Sequence, residues 1–142
     1  MDLALKNHFE KGKKNDTYQS VQIQNEIISL CGTTIKESIV NKVKEACAYS
    51  LLADEIAEIS GKEQLSIGLR YFDKESDEVK EEFIGFVELK ALDAKTIAKA
   101  IDNFVTTEEL DPENCVGLGF DGCSTMSGKE VQAILRKKYK KA

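Results

Sequence analysis

The chain has 142 residues, 42% apolar and 32% charged. That suits one globular domain and excludes a disordered or collagen-like chain. Its 25 Asp and Glu outweigh 20 Lys and Arg, for a net charge of −5. This argues against tight autonomous DNA binding, because affinity for phosphates rests on a basic surplus. Only the ends are locally basic, at Lys11, Lys13 and Lys14 and from Arg136 to Lys141. Apolar runs are too short to span a bilayer, so no membrane partner is expected. The start, Met1 to His8, has no basic region followed by a long apolar stretch. With no secretory signal visible, an intracellular compartment is expected.

Residues 1–18 read as a polar N-terminal segment, and residues 19–142 as one domain. Val21, Ile23, Ile27, Ile28 and Cys31 predict a helix over 20–31, capped by Ser20 and ended by Gly32. Thr34-Ile35-Lys36-Glu37 is a capping box, which starts a second helix carrying Ile35, Ile39, Val43 and Ala46/Cys47. Tyr49 to Asp54 reads as a short strand that ends in an acid. Leu65, Ile67, Leu69 and Tyr71 alternate with polar or small residues in a second strand. A turn over Asp73–Glu78 leads to a third strand at 79–89. Asp93 caps a helix carrying Ile97, Ala98, Ile101, Phe104 and Val105. After the Asp111–Asn114 turn, Val116, Leu118 and Phe120 form a fourth strand, and Val131, Ile134, Leu135 and Tyr139 a last helix. The sum is an α/β fold with a β-β-β-α-β-α mixed sheet preceded by two helices: an antiparallel meander, then a parallel neighbour.

Two acids stand at strand ends, Asp54 and Asp121. A right-handed crossover can set the fourth strand beside the first, bringing both carboxylates to one edge. Such a pair can hold Mg²⁺, which takes one or two carboxylates and keeps several waters. Strand-terminal acids are also ordinary turn formers. Asp121 opens Asp121-Gly122-Cys123-Ser124-Thr125-Met126-Ser127-Gly128, where Ser124 or Thr125 can cap the next helix. Gly117-x-Gly119-x-x-Gly122 matches a dinucleotide fingerprint by letter, but its first two glycines alternate inside the strand and no second strand follows. No cofactor-binding loop is therefore assigned. Cys31, Cys47, Cys115 and Cys123 form no C-x-x-C pair, and the only histidine, His8, is distant; four small buried thiols are expected rather than zinc.

Tyr49-Ser50-Leu51-Leu52-Ala53-Asp54-Glu55, Lys62 to Ser66, Glu82 to Leu89 and, above all, Gly119 to Gly128 resemble the transposase-derived domain of hAT-type transposases and zinc finger MYM-type proteins. Asn15 to Tyr18 and Ile23 to Ile28 are similar to it as well. The resemblance implies a ribonuclease H-like fold and a metal-dependent Asp-Asp-Glu transferase acting on DNA in the nucleus. By motif position, Asp54 is the first catalytic and metal-binding acid and Asp121 the second, with Mg²⁺ or Mn²⁺ as cofactor. The family's Glu and its fifth strand lie downstream, so the chain is expected to be truncated before that strand. Where the family shows Ala-Asp-Glu-x-Thr/Ser-Asp, this chain has Ala57 and Glu58 in the last two places.

Three functions are open at this point. The first is a fragment or degenerate copy of a transposase catalytic domain, inactive alone for want of a third acid. The second is a domesticated, non-catalytic module binding protein or DNA, or self-associating through an exposed sheet edge. The third is a nucleotide-binding α/β protein.

Overall fold

The computed structural model describes residues 20–57, 63–120 and 126–142, with residues 7, 10, 11 and 18 before them. The chain divides into a first unit up to Glu37 and a second from Ser38. Helix α1, Val21–Glu45, is one 25-residue helix. Its start is capped as the sequence predicts, with the Ile23 N–H donating to Ser20 Oγ at 3.2 Å. The two expected helices are not separate. Gly32 is not among the glycines with positive φ and so makes no left-handed stop. A glycine inside a helix costs about 1 kcal/mol, too little to break a ladder that continues on both sides. Thr34 does not open a new helix; its hydroxyl donates back to the Leu30 carbonyl at 2.9 Å, as a mid-helix threonine does.

In the second unit the strands are β1 Tyr49–Ala57, β2 Glu63–Asp73, β3 Glu78–Glu88 and β4 Cys115–Phe120. The order across the sheet is β3-β2-β1-β4. β1 and β3 run antiparallel to β2, and β4 runs parallel to β1. Helix α2, Ala94–Thr107, makes the crossover that returns β4 beside β1; α3, Met126–Leu135, follows. The mixed sheet expected from the sequence is therefore present. Asp93 caps α2 as expected, its carboxylate accepting from Lys95 N and Thr96 N at 3.1 Å each. The Thr96 hydroxyl also donates to Asp93 Oδ2 at 2.6 Å; this bond above all, with the two amide donors, favours the ionised form and holds the Asp93 carboxyl below its usual value.

Alternation assigns the two sheet faces. Tyr49, Leu51 and Ala53 of β1 and Leu65, Ile67, Leu69 and Tyr71 of β2 are buried in one cluster. The same cluster holds Ile39, Val40 and Val43 of α1, Ile97 and Ile101 of α2 and Val131 and Leu135 of α3. Helices thus cover one face, where removal of apolar surface from water is the main stabilising term. The rim is tied by Asp73 at the end of β2, which accepts from Lys80 Nζ at 2.6 Å, Lys42 Nζ at 3.1 Å and Glu75 N at 3.0 Å. These donors hold the Asp73 carboxyl well below the usual carboxylate range.

Candidate metal centre

β1 is longer than its apolar core suggests. It runs three residues past Asp54, and Asp54 pairs with Ser66 of β2. The expectation that Asp54 ends the strand is therefore corrected: Glu55 to Ala57 are held by the ladder to Leu65, Gln64 and Glu63, although their sequence carries no apolar run. What does stop at Ala53 is the pairing with β4, whose last matched residues are Ala53 and Phe120. Beyond them β1 is paired only with β2 among the described residues.

Asp54 follows the buried Ala53 and, by strand alternation, belongs to the other face with Ser50 and Leu52. It is exposed. Its backbone carbonyl accepts from Ser66 Oγ at 3.1 Å, and no ion pair engages its carboxylate among the described residues. The second expected acid, Asp121, lies outside the described residues, as do Cys123, Ser124 and Thr125. Of the other thiols, Cys115 is buried, while Cys31 and Cys47 are exposed. The expectation of four buried thiols fails for those two: Cys31 lies in a stretch of α1, residues 24–35, that is exposed throughout, and Cys47 follows the buried Ala46 just past the end of α1. Burial pushes the Cys115 thiol up from its ordinary value. Among the described residues no group of three or more His, Cys, Asp or Glu is placed to hold a metal ion.

A concavity of about 460 Å³ opens beside Asp54, lined among others by Leu52, Gly68, Phe83 and Gly119. The glycines of β4 have a packing role. A Cβ at Gly117 would come 2.6 Å from Ser50 Oγ and 3.2 Å from Ser50 Cβ, and one at Gly119 would come 2.7 Å from Leu52 Cδ2. They are bare because β1 side chains lean over them, which explains the fingerprint-like spacing without any nucleotide. The far wall was not legible in the sequence. Phe83 and Phe86 stand three apart, which in a regular strand puts them on opposite faces. Here Ile84 is an extra residue: Ile67 pairs with Gly85, and Gly68 with Phe83. This bulge buries Ile84 and leaves both phenylalanines exposed, their ring centroids 4.9 Å apart. Gly85 supplies the backbone the bulge needs, at φ +155°.

The exposed Asp54 carboxylate, engaged by no ion pair among the described residues, is a hard oxygen donor of the kind Mg²⁺ and Mn²⁺ take, and Glu81 and Glu82 line the same concavity. The element order and the mixed sheet are those of an RNase-like α/β domain. The chain belongs to the transposase-derived ZMYM1/FAM200 RNase-like domain family, whose model matches residues 3–130. Among curated proteins it is similar to the human (Homo sapiens) "52 kDa repressor of the inhibitor of the protein kinase", with 30% identity over 98% of this chain. The mouse (Mus musculus) protein of the same name is 28% identical over the same share. In each case the chain spans only 18% of the relative's length.

Proposed function

We propose that the chain carries the first two acids of a transposase-type metal centre, with Asp54 and Asp121 as the ligands of Mg²⁺ or Mn²⁺ and DNA as the substrate class. The observation that carries this reading is the Ala53–Phe120 partnership. Each acid is the next residue in sequence after one of these partners, so parallel register favours a shared edge for the two carboxylates. An exposed Asp54 with no ion pair among the described residues fits an oxygen site that keeps waters. A bound divalent ion would supply charge stabilisation to a phosphoryl group and activate water; Asp54 and Asp121 would hold and orient it. With two acids assigned and no third, the chain by itself does not cleave DNA. A nuclear location follows from the same reading, as part of action on chromosomal DNA. The test is calorimetric titration of the chain with Mn²⁺: binding is expected, and Asp54→Asn or Asp121→Asn each abolishes it. Unchanged binding in both variants would sink the proposal, as would Mg²⁺-dependent cleavage by this chain for its inactive part.

A second reading is favoured by the name "repressor" that the relatives carry and by the net charge of −5. It makes the domain a non-catalytic module that engages protein partners or a second copy through the sheet edge at β4. Unpaired edge strands recruit other chains. No helix among the described residues is long and apolar enough to cross a membrane.

A further inference from the structure

On the helical side, away from Asp54, α2 and α3 enclose a second cavity of about 280 Å³. Its floor is apolar: Ala98 of α2 and Leu135 of α3 are buried, and Ile134 is half-buried beside them. Its rim is basic. Lys95 and Lys99 are one helical turn apart on α2, and Lys138, just past α3, closes the other side. Asp102 supplies a carboxylate at the rim, but it is already engaged. It accepts from Lys138 Nζ at 2.5 Å and from Tyr139 Oη at 2.9 Å. The ammonium groups of Lys95 and Lys99 form no ion pair among the described residues, and both side chains are exposed.

A chain with five surplus negative charges thus carries here a local surplus of cations around an apolar floor. Apolar floor plus unpaired cationic rim is the complement of an apolar side chain flanked by acids. The volume falls just under the roughly 300–1,000 Å³ typical of small-molecule sites and suits one anchoring side chain. Nucleic acid fits less well, because single strands need open aromatic faces for stacking. The only aromatic here, Tyr139, is fully buried, with its hydroxyl committed to Asp102. Half of the cleft, from Ile134 to Tyr139, lies past residues 3–130 matched by the family model. It is also independent of Asp54.

We infer that the α2–α3 cleft is a docking site for an acidic peptide segment bearing one large apolar anchor, with the anchor on Ala98 and Leu135 and the acids on Lys95 and Lys99. The test titrates the full 142-residue chain against a short labelled peptide of Asp and Glu with one central Phe, read by fluorescence anisotropy and by amide shifts. Saturable binding that weakens with salt is expected, with shifts at Ala98, Lys99 and Leu135. Lys95→Glu with Lys99→Glu should weaken it about tenfold, since two rim charges are reversed. Changing Phe to Ala in the peptide should weaken it as well. Lys90→Glu, an exposed lysine elsewhere, should leave it unchanged. Both cleft lysines are exposed, so the double variant should keep its melting temperature, which separates lost binding from lost fold. Absence of binding overturns the inference. So does equal affinity in the double variant, or tighter binding of a DNA oligonucleotide through the same lysines.

Discussion

The two faces of the sheet use the same strands to opposite ends. On the helix-covered face Leu51, Ile67 and Leu69 have no exposed surface at all; these side chains fix the fold. On the open face Phe72, Val79, Phe83 and Phe86 are all around half exposed, and the same face carries the bare backbones of Gly68, Gly117 and Gly119 and the exposed Asp54. One face therefore stores stability and the other presents chemistry, and one-residue alternation along β1 separates them: Ala53 inside, Asp54 outside.

A large-to-small change on the covered face should have the largest effect. Leu51→Ala should destabilise by about 2–5 kcal/mol, a lost side chain plus the cavity it leaves, read as a fall in the urea midpoint. Next in size is Gly85→Ala. A side chain at φ +155° is strained by about 1–3 kcal/mol, and the bulge that turns Phe83 and Phe86 to one side should loosen with it, seen in amide exchange of β3. A smaller effect is confined to acid. The folded Asp73 carboxyl lies below its ordinary 3.8, so the unfolded chain takes up that proton first as pH falls. Its stabilisation is full above 3.8 and is lost below it. Asp73→Asn should be less stable than the parent at neutral pH, and the gap should close in acid, by denaturant midpoints at the two pH values. Smallest of all, Phe83→Ser should change stability by only about 0.5 kcal/mol, while lowering any self-association measured by sedimentation.

Much of the covered face was readable. The two-residue period from Leu65 to Tyr71 and the Asp93 cap are local signals with local causes, and both elements stand where they are expected. Gly32 misled because a glycine stops a helix only where the backbone turns left-handed, and the letter does not say whether it does. The run Glu55 to Ala57 was missed as strand because pairing to β2, a partner that only the fold supplies, holds it extended. At the site, Asp54 was legible as an acid next to an apolar strand, and its face followed from alternation. The aromatic wall was not, because a bulge resets the alternation at Ile84. The lysine-rimmed cleft was illegible too, because it joins residues about forty positions apart that only the packing of α2 on α3 brings together.

Whether Asp54 and Asp121 share one divalent ion at the end of the β1–β4 pairing is read most simply from paramagnetic broadening by Mn²⁺ in amide spectra of the chain. Substoichiometric Mn²⁺ should bleach the signals of Ala53, Asp54 and Phe120 first, and Asp54→Asn and Asp121→Asn should each restore them. Broadening centred elsewhere, or bleaching of these three that survives both substitutions, would contradict a shared ion.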